Sequence, residues 1–168
     1  MSVNMETERK LLIVKPDEEM LNALDGCTYT DITQTYLLGK PGETERVRKR
    51  EGGGKTIYTH TIKQRVSFMS SIENEETITK EEYERLLTKK DPERTPINKR
   101  RYVLPYQGYQ FEIDLYPFWK RQAVMEVELP GEDVQPAYPP MLTMIRDVTG
   151  NRAYSNRSMS ACLPAEDE

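Results

Sequence analysis

The chain has 168 residues, 31% charged and 36% hydrophobic; that length suits one domain, expected over 1–168, and the short regular runs of Tyr, Val, Ile and Leu exclude a disordered chain. Its net charge of -4 speaks against a general nucleic-acid binder, although the stretch 89–101 is locally basic. Cys27 and Cys162 lack metal-ligand spacing and no apolar segment precedes the first charged residues, so a reducing cytoplasm is expected, with neither secretion nor membrane insertion.

From Glu6 to Val14 charged side chains alternate with others before an apolar end, the pattern of a strand. Pro16 then opens a short helix over 17–25, with Met20, Leu21 and Leu24 as its apolar face and Gly26 as its stop. Extended segments follow at 31–38, 45–50, 56–64 and 67–78, separated by glycine-containing turns at 39–42 and 52–54 and a tight turn near 64–66, which is the signature of a β-meander. Thr79 and Glu82 have the spacing of a capping box, and Tyr83, Leu86 and Leu87 share a face, so a helix is expected over 80–89. Further strands are expected at 99–104, 110–116 and 123–129, making about eight. The tail from Pro130 reads as irregular, with a short helix near 156–162 held by Met159 and Leu163.

Side chains two apart on a strand point the same way. Glu6, Glu8 and Lys10 therefore share a face, as do Arg46 and Arg48, then Thr59, Thr61 and Lys63, then Glu73 and Glu75, then Lys99 and Arg101, then Glu112 and Asp114, then Glu126 and Glu128. Alternating charges most often mean a sheet with one face in water. The alternative closes the sheet into a barrel and turns these faces inward, where like charges would repel unless a divalent cation lay between the glutamates and a polyanion between the basic residues.

Taken in order, Glu6-Thr7-Glu8-Arg9-Lys10, Gln34-Thr35-Tyr36-Leu37, Arg46-Val47-Arg48, Thr61-Ile62-Lys63, Glu73-Asn74-Glu75, Lys99-Arg100-Arg101-Tyr102, Phe111-Glu112-Ile113-Asp114, Glu126-Val127-Glu128 and Asp147-Val148-Thr149-Gly150 resemble the motif series of the CYTH superfamily, the triphosphate tunnel metalloenzymes. The resemblance covers nearly the whole chain. It implies an all-β dominated fold: an eight-stranded antiparallel closed tunnel barrel with a few short helices packed outside. It also implies that Lys10, Arg46, Arg48, Lys63, Lys99 and Arg101 bind triphosphate, that Glu6, Glu8, Glu73, Glu75, Asp114, Glu126 and Glu128 face Mg²⁺ or Mn²⁺, and that Glu6, Glu8 and Glu128 are catalytic. Asp147 and Ser155 depart from the pattern, standing where a glutamate and a lysine are usual.

Other signals carry less. Gly54-Lys55-Thr56 lacks the first glycine of a P-loop, since Lys49 holds that place, and a strand follows it. His60, the sole histidine, lies on the opposite strand face from Lys63, and Trp119 reads as a packing anchor in a turn. Phosphoryl transfer asks a protein for charge neutralisation and in-line geometry more than for covalent help, which suits such a tunnel. The expected activity is metal-dependent hydrolysis of inorganic tripolyphosphate or an organic triphosphate, by a monomer or homodimer. The alternatives are a class IV adenylyl cyclase and a polyphosphate- or nucleotide-binding module without turnover.

Overall fold

The computed structural model describes residues 2–166; Met1, Asp167 and Glu168, the ends of the expected domain, lie outside the described residues. The strands are β1 (Ser2–Val14), β2 (Thr28–Tyr36), β3 (Glu43–Gly52), β4 (Lys55–Arg65), β5 (Ser70–Ile78), β6 (Ile97–Tyr106), β7 (Tyr109–Leu115), β8 (Gln122–Glu128) and β9 (Met144–Asp147). Three short helices accompany them, α1 (Glu18–Ala23), α2 (Lys80–Leu87) and α3 (Asn156–Met159). Neighbouring strands run antiparallel in the order β5-β4-β3-β2-β6-β7-β8-β1, and β1 pairs back onto β5, so the ring closes on eight strands as expected. Closure leaves these strands no free edge and gives the sheet an inside.

β1 is the seam. Ser2–Thr7 pair with β5, from Ser2↔Glu75 to Thr7↔Ser70, while Glu8–Val14 pair with β8 on the other edge, from Glu8↔Glu128 to Val14↔Gln122. The edge that β5 leaves is taken over by β9, which pairs with Leu11–Ile13. This ninth strand corrects the expectation of an irregular tail. Its four residues, Met-Ile-Arg-Asp, are too few to show alternation, and it forms because β1 presents unpaired backbone groups there. β1 also begins earlier than the expected Glu6, since backbone pairing with β5 recruits residues whose side chains give no pattern.

The apolar parity faces outward and is covered. Leu11, Ile13, Tyr102, Phe111, Ile113, Met125 and Val127 form a core with Leu21 of α1 and with Leu129 and Leu142 of the segment after β8. α2 lays Tyr83 and Leu86 on Val47 and Leu37; Thr79 caps it, accepting from the Glu82 amide at 3.1 Å. Thr79 and Glu82 therefore form the cap that their spacing announced, and the helix ends two residues before the expected Lys89. A third cluster, Leu12, Tyr36, Ile97, Tyr116, Trp119, Val124, Val148, Tyr154 and Met159, includes side chains of the inward parity and plugs part of the barrel at the end where β1 finishes. Trp119 is 2% exposed in it, an anchor as expected, whereas Leu163 is 47% exposed and does not hold the tail. Gly53 and Gly54 take positive φ of 58° and 75° in the β3–β4 hairpin, the turn for which glycine is suited, so Gly54-Lys55-Thr56 is a hairpin and not a phosphate loop.

Candidate functional site

The inward parity of the ring carries the charges, and it sorts them by strand. β7, β8, β1 and β5 are consecutive around the ring and contribute Glu112, Glu126, Glu128, Glu6, Glu8, Glu73 and Glu75, with Lys10 among them. β4, β3, β2 and β6 complete it with Lys63, Arg46, Arg48, Arg50, Tyr36 and Arg101. All of these line one cavity of about 780 Å³. An acidic half-wall thus faces a basic one across an enclosed lumen, which decides between the solvated sheet and the tunnel.

On the basic wall the guanidiniums of β3 are short of partners. Arg48 donates through Nε and Nη2 to the neutral Gln34 Oε1 at 2.9 and 2.6 Å, and Gln34 is itself fully buried and donates to the Tyr36 hydroxyl. Burial, then the like charges of Arg46, Arg101 and Arg50, push the Arg48 pKa down to about 9, leaving it charged at neutral pH. Arg46 reaches Glu73 only at 3.6 Å, and the Nε atoms of Arg46 and Arg50 are buried without a hydrogen-bond partner. Burial and Arg101 also lower Arg50. Cations held this way in a cavity are poised for an anion.

The acidic wall is strained in the opposite sense. Glu8 stands directly across from Glu128 in the β1–β8 register, and Lys10 across from Glu126, which it approaches to 3.5 Å. Burial, then Glu126 and Glu6, hold the Glu8 carboxyl well above its ordinary value. Burial opposes the charge on Glu126, but Lys10 and Arg101 overcome it and keep that carboxyl well below the usual range. Glu128 is raised by burial, Glu6 and Glu112. Glu6 Oε2 is buried without a hydrogen-bond partner, with Lys63 at 3.7 Å.

A divalent cation would relieve these repulsions, and the donor set fits one of a particular kind. It is all carboxylate oxygen, which suits hard ions such as Mg²⁺ or Mn²⁺. Among the described residues no three acidic, histidine or cysteine side chains converge into a ready cage. The fit is therefore to an ion that takes one or two carboxylates and keeps several waters, as Mg²⁺ does, and not to a fully protein-ligated ion.

Lys99 and Asp114 stand apart from the other expected residues. They do not line the cavity but lie sealed beneath Arg101, against the apolar plug, with side chains 0% and 1% exposed. Asp114 accepts from Lys99 Nζ at 2.8 Å and from Arg101 Nε and Nη2 at 2.7 and 2.9 Å, so both its oxygens are engaged. Arg101 also donates to Glu112 at 2.9 Å. Burial opposes the charge on Asp114, yet Arg101 and Lys99 bring its pKa to about 2; burial and Arg101 bring Lys99 down to about 7. The same guanidinium supports its anionic neighbour and opposes its cationic one. Asp147 points outward, 48% exposed, accepting from the Thr149 amide at 2.8 Å and pairing with Arg9 at 3.4 Å. Ser155 caps α3, accepting from the Ser158 amide at 3.1 Å. Sequence reasoning overlooked Arg50, although its place two residues after Arg48 carried the signal.

No family model and no curated protein matches the sequence. Solved structures do. The inorganic triphosphatase NE1496 is 25% identical over 95% of this chain and 97% of that chain, with a TM-score of 0.57. The PH1819 protein from Pyrococcus horikoshii OT3 shares the fold at 18% identity, with 75% of this chain and 80% of that chain covered and a TM-score of 0.55. HpAC1 from Hippeastrum, a candidate adenylyl cyclase with a dominant triphosphatase activity, shares it at 16% identity, 75% and 80% coverage and a TM-score of 0.56. The fold shared with these structures is consistent with the CYTH superfamily of triphosphate tunnel proteins, which the chain's motif series resembles.

Proposed function

We propose that the tunnel binds a triphosphate and hydrolyses it, with inorganic tripolyphosphate as the first candidate substrate. One observation carries the reading: Arg46, Arg48 and Arg50 project from one strand into an enclosed lumen with their charges largely unanswered, opposite a wall of carboxylates. Planar guanidiniums grip phosphate oxygens in pairs, and Lys10 and Lys63 add point charges. Arg101, fixed by Asp114 and Glu112, is the most rigidly held of the cations. Asp114 serves as its orienting partner, with Lys99 beneath, and so is assigned away from direct metal contact.

One or two of Glu6, Glu8, Glu126 and Glu128, flanked by Glu73 and Glu75, would hold Mg²⁺ or Mn²⁺, which when bound neutralises phosphate charge and activates water. The basic wall holds the phosphates in line and stabilises the charge that builds on the departing group, while the enclosing barrel limits water around it. The oxygen of water bonds to the terminal phosphorus, the bridging P–O bond breaks, and orthophosphate and diphosphate leave.

Incubation of the purified protein with tripolyphosphate, ATP or thiamine triphosphate, each with Mg²⁺ or Mn²⁺, tests the proposal. Orthophosphate release is the expected result. Cyclic AMP as the main product from ATP would instead make the chain a cyclase, and tight binding without turnover with either metal would make it a binding module.

A further inference from the structure

Gln34 faces inward from β2, directly across from Arg48 in the β2–β3 register, yet it is 0% exposed and does not line the tunnel cavity. Both ends of its amide are engaged. Oε1 accepts from Arg48 Nε at 2.9 Å and from Arg48 Nη2 at 2.6 Å, while Nε2 donates to the Tyr36 hydroxyl. A guanidinium has donors only, so the amide oxygen must face it and the nitrogen must face Tyr36. The contact occupies the Nε–Nη2 edge of Arg48. It leaves the Nη1–Nη2 edge, the other paired set of donors, unspent by any hydrogen bond among the described residues. Arg48 itself lines the cavity, so that second edge is what it offers to a ligand.

The neutrality of this partner sets Arg48 apart from the cations around it. Lys10, Arg46, Lys63 and Arg101 lie 3.5, 3.6, 3.7 and 2.7 Å from carboxylate oxygens. Burial opposes the charge on Arg101, yet Asp114 and Glu112 raise its pKa well above the ordinary value. Arg48 has no carboxylate in hydrogen-bond or ion-pair contact among the described residues, and burial, then Arg46, Arg101 and Arg50, bring it down to about 9. An amide thus gives Arg48 a fixed direction without a countercharge.

We propose that Gln34 is a positioning residue for the phosphate site: it clamps one edge of Arg48 with a neutral acceptor, so that the other edge is held toward the lumen and the countercharge is left for the phosphate to supply. The proposal rests on the triphosphatase reading and extends it to a residue outside the cavity. A carboxylate at this position would hold the same edge more strongly and would compete with phosphate for the charge. An amide kept only to satisfy buried groups makes a different prediction, because its replacement would alter stability without a separate effect on affinity.

Gln34→Glu separates the two roles. The variant keeps the shape, and its carboxylate accepts from Arg48 and from the Tyr36 hydroxyl while answering a buried charge, so the ligand-free protein is expected to unfold at or above the wild-type Tm. Its KM for tripolyphosphate with Mg²⁺, and its Kd for tripolyphosphate by calorimetry, are expected to rise about tenfold or more, the effect of cancelling one charge-assisted contact. Unchanged KM and Kd would overturn the proposal, and so would weaker affinity accompanied by a lower Tm. A second comparison shows whether Gln34 acts through Arg48. Adding Gln34→Ala to Arg48→Ala is expected to leave KM at the Arg48→Ala value, whereas a further, additive rise would overturn the proposal. Failure of the wild type to bind or hydrolyse tripolyphosphate at all would overturn the underlying function instead.

Discussion

Arg48 is the residue on which the proposed chemistry is most exposed to experiment. Its guanidinium is held by a buried amide that cannot neutralise it, so its stabilising partner has to come from a ligand. Arg48→Ala is expected to weaken tripolyphosphate binding by about 1.5–3 kcal/mol, the range of a hydrogen bond to a charged group, read as a raised KM or by calorimetry; an unaltered KM would remove the residue from the site. Glu128→Gln keeps the shape and loses the charge. It is expected to abolish turnover while leaving the circular dichroism spectrum and cooperative unfolding intact, and retained activity would exclude Glu128 from the catalytic set. Most of these positions were legible because the inward parity of each strand is written in alternation. Their unequal roles were not, since Lys99 and Asp114 have the same spacing as the lining pairs and differ only in depth. Depth depends on the plug formed by Tyr36, Tyr116 and Val124, whose meeting joins β2, β8 and the turn after β7.

The elements show the same division between local and non-local information. α2 was legible because its cap and apolar face are both written within the nine residues from Thr79 to Leu87. Thr79→Ala removes the acceptor for the Glu82 amide and is expected to cost about 1 kcal/mol, read as a lower urea midpoint with unchanged m-value; a midpoint equal to wild type would show that packing of Tyr83 and Leu86 alone fixes the helix. β9 was illegible for the converse reason. Nothing in Met144–Asp147 announces a strand; the cause lies in β1, whose edge is vacated by β5 after Thr7. The two departures from the family pattern are also element-level facts. Ser155 caps α3, and Asp147 supports the turn after β9.

At the scale of the molecule, the barrel places charge where folding alone would not. Glu8 and Glu128 are both raised above 4.5, the former strongly, by burial and by neighbouring carboxylates. Between their unfolded and folded pKa values the native state binds more protons than the unfolded chain, so their ionisation destabilises the fold. For these groups the sign is therefore opposite to that of a salt-bridged carboxylate: stability falls as pH rises from about 4.5 through the folded-state pKa. Glu126 and Asp114, with depressed values, act in the usual direction, and their contribution is complete above 4.5 and 3.8 and lost only in more acid solution. The windows do not overlap, which allows the Glu8 effect to be isolated. In metal-free buffer, Glu8→Gln is expected to raise Tm relative to wild type increasingly as pH climbs above 4.5 and to show no advantage below it. Thermal scans across that range check this, and a parallel offset at every pH would mean that Glu8 is ordinary in its surroundings and that the acidic half-wall stores no repulsion for a cation to relieve.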